Sequence, residues 1–178
     1  MFDEFSPQID GSLRDICTMG VGGEADFIIR VRTRAGLVSL FRQCRELGVR
    51  LVPIGHGTNV FFTDGRVKGV VAVVSFAGIE MREDGVLAAA AGTSLSDLLE
   101  FSFRRSLAGL ELFSGIPGTV GGAVSGNAGA YGADIGSRLV RAEVLDESGN
   151  TRIVGNDFFD FRYRDSVLKR RSAILLEA

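Results

Sequence analysis

Residues with distinctive side-chain chemistry are scarce in this chain. Of its 178 residues only two are cysteines, Cys17 and Cys44, and only one is a histidine, His56. Two cysteines make neither a disulfide framework nor a Cys/His metal site. Cys44 falls in an apolar stripe at helical spacing, which reads as a small buried thiol. Long apolar runs are also missing: none approaches the roughly 18 residues that a membrane-spanning helix needs. Charge of one sign is not in excess either. Twenty Lys and Arg against 22 Asp and Glu leave a net charge of −2. That excludes a global basic field that would draw in nucleic acid or an anionic membrane. The opening segment MFDEFSPQID lacks the basic and apolar regions of a secretory signal, so the expected location is the cytoplasm.

Glycine, by contrast, is abundant, with 24 residues, well above the usual share of about 7%. The glycines cluster, which points to built loops and not to low complexity. In SGIPGTVGGAVSGNAGAYG, residues 114–132, seven of nineteen positions are glycine. Glycine permits positive φ and close approach of backbone N–H groups to another molecule, at an entropic cost on folding. A turn, a tight packing contact or a ligand can each require it.

The pattern along the chain predicts alternating elements. ADFIIRVR (25–32) reads as a strand. Thr33 caps a helix on which Leu37, Leu40, Phe41, Cys44 and Leu47 share a stripe, and Gly48 ends it. Strands follow over 49–54 and 67–74, so the first part is a β-α-β unit. Residues 79–92 predict a hairpin turning at Asp84-Gly85. Residues 93–107 predict a helix capped by Thr93 or Ser94, with Leu95, Leu98, Leu99, Ser102 and Phe103 on its buried side. A second hairpin is expected over 139–154, turning at Ser148–Asn150. A last apolar strand, 173–178, runs to the final residue, which suggests a chain that once continued. Two lobes, 1–76 and 77–178, are expected.

PIGHGTN lies directly after a strand. Such a loop can turn its N–H groups toward a phosphate or pyrophosphate. It is neither a Rossmann fingerprint nor a Walker A loop, and alone it fits a plain tight turn equally well. SGIPGTVGG alone can simply pack against a sheet. One glycine loop per lobe is better explained by a long ligand, with phosphates and an apolar ring system, held between them.

Four motifs narrow the reading: TMGVGGEADF (18–27), PIGHGTNVFFTD (53–64), GLELFSGIPGTVGGAVSGNAGAYG (109–132) and FRYRDSVLK (161–169). In these motifs and their order the chain resembles the UDP-N-acetylenolpyruvoylglucosamine reductase family. These are flavoenzymes of peptidoglycan synthesis within the vanillyl-alcohol-oxidase-type group. The resemblance implies an α+β chain of two small α/β lobes with FAD between them. It implies NADPH as reductant and a nucleotide-sugar as substrate. It assigns Gly55, His56, Gly57, Thr58 and Asn59 to the pyrophosphate. It places Gly115, Ile116, Pro117, Gly118, Thr119, Gly122, Asn127, Gly129 and Ala130 along the cofactor. It makes Arg164 the cation beside the substrate carboxylate, where charge develops as hydride arrives. An arginine paired with Asp165 or Asp160 on the surface is the competing reading. Tyr163 is expected to support the pocket, and Asp165 and Ser166 to bond locally.

Two departures stand out. His56 replaces a glycine usual in the family. Its expected place is near backbone or phosphates, and the histidines that some flavoproteins attach covalently to flavin stand in a different loop pattern. The serine that protonates the substrate and its assisting glutamate belong to a C-terminal substrate-binding domain that is absent here, so the chain reads as a fragment. A different FAD enzyme of the same fold, and a flavin-binding module without turnover, are the alternatives.

Overall fold

The structure, a computed structural model, describes residues 1–82 and 85–178. They form two compact units, Met1–Phe76 and Ala77–Ala178.

The first unit contains β1 (Gln8–Ser12), β2 (Glu24–Val31), α1 (Arg34–Glu46), β3 (Leu51–Ile54) and β4 (Arg66–Val74). They build one sheet of order β1-β2-β4-β3. β2, β4 and β3 run parallel and β1 pairs antiparallel with β2. The β-α-β unit is therefore split, with β4 inserted between its two strands. Pro53, which has no N–H to give a ladder, sits in an edge strand, where it is tolerated.

Thr33 caps α1 by accepting the Gly36 N–H at 3.0 Å. Leu37, Leu40, Phe41 and Cys44 are buried as their spacing requires. Leu47 is instead the half-exposed C-cap, at the point where the helix ends. The parallel β3-to-β4 connection has to return along the sheet. Residues 55–65 do this, packing Val60 and Phe62 with Leu13, Ile16 and Cys17 against Ile28, Ile54, Val71 and Val73.

β1 has no counterpart among the expected strands. Its charged, glycine-containing sequence hides it, and a tertiary contact holds it: Arg66, on β4, is bonded to Asp10, Glu24 and Asp26. The Gly69 N–H donates to Asp26 at 2.9 Å. This bond and then Arg66 hold the Asp26 carboxyl below its ordinary range. A carboxyl depressed in the folded state adds stability above its unfolded pKa and loses it as pH falls through the folded value. Asp26→Asn should therefore lower the melting temperature near pH 7, and the difference should shrink as pH falls through and below the ordinary carboxylate range. A difference that persists undiminished in acid would count against the assignment.

Burial pushes the Cys44 thiol up to about 11. Cys17 is also buried, and its thiol donates to the Val60 carbonyl. Neither should react with a thiol reagent at pH 8 until the protein unfolds. One fast-reacting thiol in the native protein would contradict this packing.

The second unit contains β5 (Ile79–Met81), β6 (Leu87–Ala89), α2 (Leu95–Arg104), α3 (Val120–Ser125), β7 (Gly129–Ala130), β8 (Ala133–Asp134), β9 (Arg141–Leu145), β10 (Thr151–Gly155), α4 (Val167–Arg170) and β11 (Ile174–Glu177). β9 lies between β10 and β11, antiparallel to both. β5 and β6 pair antiparallel, but Asp84 of the expected turn lies outside the described residues. The end of β6 and the residues after it join the C-terminal strand segment: Ala89 and Ala178 exchange backbone bonds, and Ala91 donates to Leu176 of β11. The second hairpin turns where expected, with the Asp146 carboxylate accepting the Ser148 and Asn150 N–H groups.

α2 is shorter than 93–107. Ser94 caps it through the Asp97 N–H, while Thr93 is occupied with both backbone groups of Gly78. Leu95, Leu99 and Ser102 are buried, whereas Leu98 is half-buried and Phe103 is 50% exposed. Each step turns the helix roughly 100°, so Phe103 lies around the side from Ser102. The chain closes under Ser102, whose hydroxyl donates to the Leu107 carbonyl.

Candidate functional site

The loop 55–59 follows the end of β3. Gly57 has φ +67°, and a Cβ there would overlap the Ile16 carbonyl oxygen. Glycine is thus required at this position by the protein's own backbone. Thr18 fixes the other side, giving both its N–H and its hydroxyl to the Gly57 carbonyl at 3.1 Å. The TMGVGG and GHGTN motifs are therefore two halves of one packed structure. His56 and Asn59 are exposed, and the N–H groups of His56, Gly57 and Asn59 meet no protein acceptor among the described residues.

The second loop is built around α3. Thr119 caps that helix by accepting the Gly122 N–H. Leu95 donates to Gly118, Val120 to Thr93 and Gly121 to Ala91. A side chain at Gly121 would crowd the Ala91 carbonyl, and one at Gly129 would overlap the Ala133 carbonyl. Gly115 differs. Its φ is +83°, it is exposed, and an added Cβ would meet no atom within 4 Å. The N–H groups of Gly115, Gly118 and Thr119 have no protein acceptor among the described residues. Upstream, the Gly109 N–H bonds the Glu111 carboxylate at 2.8 Å. Glu111's own N–H and then Gly109's hold that carboxyl below its ordinary range.

Each loop by itself has features that suit part of an FAD. The pyrophosphate offers only acceptors, and in the first unit His56, Gly57 and Asn59 present N–H groups with no protein acceptor among the described residues. Gly115 faces open space, where a cofactor can lie against bare backbone.

Asn127 is placed differently from its neighbours. It is buried, with φ +41°. Its amide donates to the Arg162 carbonyl at 3.0 Å and to Asp134 at 3.3 Å, and accepts the Gly136 N–H at 3.0 Å. The amide is thus committed to protein groups and ties the glycine-rich segment to the YRDS motif. Nothing in its sequence context signals this bond, which spans 35 positions.

The YRDS motif is a two-residue turn. Arg162 and Asp165 exchange backbone bonds of 3.0 and 3.1 Å across Tyr163 and Arg164. Asp160 is paired with Arg162 and Arg170, and Asp165 with Arg170. Arg164 is exposed, and among the described residues its guanidinium meets no carboxylate. Its guanidinium carbon lies 5.5 Å from the centre of the Tyr163 ring. The surface pair with Asp160 or Asp165 is therefore not what forms. The Ser166 hydroxyl is fully buried and donates to the Ser125 carbonyl at 2.8 Å.

A separate groove of about 380 Å³ is lined by residues that include Ser12, Arg14, Glu24, Asp64 and Arg66. It lies where β2 and β4 begin, at the opposite end of the parallel strands from Gly55–Asn59, and brings none of the expected site residues together.

Residues 25–155 match the family described as FAD binding domain. The chain belongs to that family, and its fold is the vanillyl-alcohol-oxidase-type fold expected. Among particular proteins, it is 38% identical over 160 residues to UDP-N-acetylenolpyruvoylglucosamine reductase of Heliobacterium modesticaldum, covering 89% of this chain and 51% of that protein. The corresponding reductase of Clostridium botulinum is 30% identical over all 178 residues and is covered to 59%. The crystal structure of the reductase from Thermus caldophilus superposes with a TM-score of 0.75 at 29% identity, over 96% of this chain and 60% of that one. A glucose dehydrogenase, a variant of Phl p 4, shares the fold alone, with a TM-score of 0.63 at 14% identity over 88% of this chain and 35% of that one. The chain spans between half and three-fifths of the length of the reductases it matches.

Proposed function

We propose that this chain is the FAD-binding portion of an NADPH-dependent reductase that converts UDP-N-acetylglucosamine enolpyruvate to UDP-N-acetylmuramate, a cytoplasmic step of peptidoglycan synthesis. One observation carries the reading: an exposed arginine without a carboxylate partner among the described residues, set in a YRDS turn that Asn127 ties to the glycine-rich segment.

When bound, FAD supplies the hydride. The residues of this chain do the rest. Gly55, His56, Gly57, Thr58 and Asn59 hold the pyrophosphate through backbone donors. Gly115, Ile116, Pro117, Gly118, Thr119, Gly122, Gly129 and Ala130 lie along the cofactor, and Pro117 fixes φ between flexible neighbours. Arg164 binds the enolpyruvyl carboxylate. Its planar, permanently charged fork matches two carboxylate oxygens and stabilises the charge that builds on them during reduction. Protonation of the second carbon needs a further acid. Ser166 is unsuited, since its proton is committed to Ser125.

The test is anaerobic and uses the full-length protein. NADPH should bleach the flavin, and UDP-N-acetylglucosamine enolpyruvate should restore its colour within the turnover time. Bleaching of the oxidised flavin by a hydroxy acid or a sugar, with no response of the reduced flavin to the enolpyruvyl compound, would replace this reading with another oxidoreductase of the same fold. For residues 1–178 alone, NADPH oxidation should be slow, pass to oxygen, and show no dependence on the enolpyruvyl compound. A positioned acid typically contributes about 10²- to 10⁴-fold. Rapid substrate-driven reoxidation by this chain would require an acid within it.

A further inference from the structure

Arg164 stands at φ +56°, in the left-handed region that side-chain-bearing residues avoid. In a two-residue turn such a position favours glycine or asparagine. An arginine held there is strained, and strain of this kind persists only where surrounding contacts fix it. The contacts are present. On one side, Asn127 holds the Arg162 carbonyl at 3.0 Å. On the other, the Lys169 ammonium donates to the carbonyl oxygen of Arg164 itself at 2.6 Å. Lys169 is exposed on α4 and makes no ion pair among the described residues. The neighbouring carboxylates, Asp160 and Asp165, are taken by Arg162 and Arg170.

We propose that Lys169 is a positioning residue for Arg164. Its ammonium grips the Arg164 carbonyl, keeps the turn in its left-handed state and so keeps the guanidinium presented outward. Without that grip the turn can relax toward negative φ, which redirects the side chain while the rest of the unit stays folded. The inference rests on the reading of Arg164 as the carboxylate-binding residue.

The experiment uses full-length protein carrying Lys169→Met, Lys169→Arg, Arg164→Ala, or Lys169→Met with Arg164→Ala. Two steps are timed separately: flavin bleaching by NADPH, and colour return on adding the enolpyruvyl substrate. Lys169→Met should slow the second step about tenfold, equivalent to about 1.4 kcal/mol, and leave the first within about twofold. Lys169→Arg, which keeps a charged donor, should recover part of the loss. In the Arg164→Ala background, Lys169→Met should change nothing further, because two residues acting through one contact are not additive. Calorimetry adds a readout independent of turnover: the oxidised Lys169→Met protein should bind the enolpyruvyl nucleotide-sugar more weakly than the parent, and its carboxyl methyl ester equally well. Colour return at the parent rate in Lys169→Met, or an equal loss in the Arg164→Ala background, would overturn the proposal alone. Colour return at the parent rate in Arg164→Ala would overturn the reading beneath it.

Discussion

Gly57→Ala should destabilise the first unit by about 3–5 kcal/mol, and Gly48→Ala by only about 1, because a left-handed φ costs about 1–2 kcal/mol for a side-chain-bearing residue and only Gly57 adds a backbone clash to it. Both glycines have nearly the same φ, +67° and +65°. The difference lies in the space. An added Cβ at Gly48 meets nothing within 4 Å, whereas at Gly57 it would overlap the Ile16 carbonyl and crowd Cys17. Those atoms are backbone, so the loop has to move as a whole. It would lose the two bonds from Thr18 as it did so. Losses above about 4 kcal/mol mark cases where a strained backbone and close packing fail together. For a unit of this size each kcal/mol shifts the melting temperature by about 4–8 °C. Thermal unfolding of the two variants beside the parent checks this. Equal shifts would show that φ alone matters and that the Ile16 contact is loose.

The second large effect is expected at Arg164. In the full-length protein, Arg164→Ala should slow flavin reoxidation by the enolpyruvyl substrate by about 10²- to 10³-fold, the range seen when one donor to a developing oxyanion is removed. NADPH should still bleach the flavin at nearly the parent rate, because that step develops no charge on the substrate carboxylate. Arg164→Lys keeps the charge but loses the fork, and should fall between. The fold should be unaffected, since the side chain is exposed and carries no ion pair among the described residues. Rapid-mixing measurement of the two half-reactions separates the outcomes. Equal loss in both would assign Arg164 a structural role.

Much of this was legible in the sequence where periodicity or turn chemistry is local. The stripe Leu37, Leu40, Phe41 and Cys44 identified α1, and the apolar runs identified β2, β3 and β4. β1 was not legible, because Asp10 and Gly11 do not mark a strand and its support comes from Arg66, 56 positions away from Asp10. The glycines show the limit most clearly. Their clustering pointed to built loops, yet clustering does not say which atom each glycine avoids. At Gly57, Gly121 and Gly129 it is the protein's own backbone; at Gly115 it is open space. The grips on the YRDS turn were equally hidden. Side-chain bonds from Asn127 and Lys169 to distant or local carbonyls leave no repeat in the sequence. The strain they hold appears only as a φ angle.

The central proposal is that the loop Gly55–Asn59 holds the pyrophosphate of FAD. It is tested most directly by titrating flavin-free protein with FAD and following flavin fluorescence, in the parent and in Asn59→Asp. Asn59 is exposed and its side chain makes no hydrogen bond among the described residues, so the substitution adds a negative charge and little else. Beside the pyrophosphate that charge should repel by about 1–4 kcal/mol. The account predicts saturable binding with one FAD per chain, about tenfold or more weaker in Asn59→Asp, with an unchanged circular dichroism spectrum. FAD binding of equal strength in Asn59→Asp would contradict the placement of the pyrophosphate at Gly55–Asn59, and no saturable binding in either this chain or its full-length parent would contradict the account as a whole.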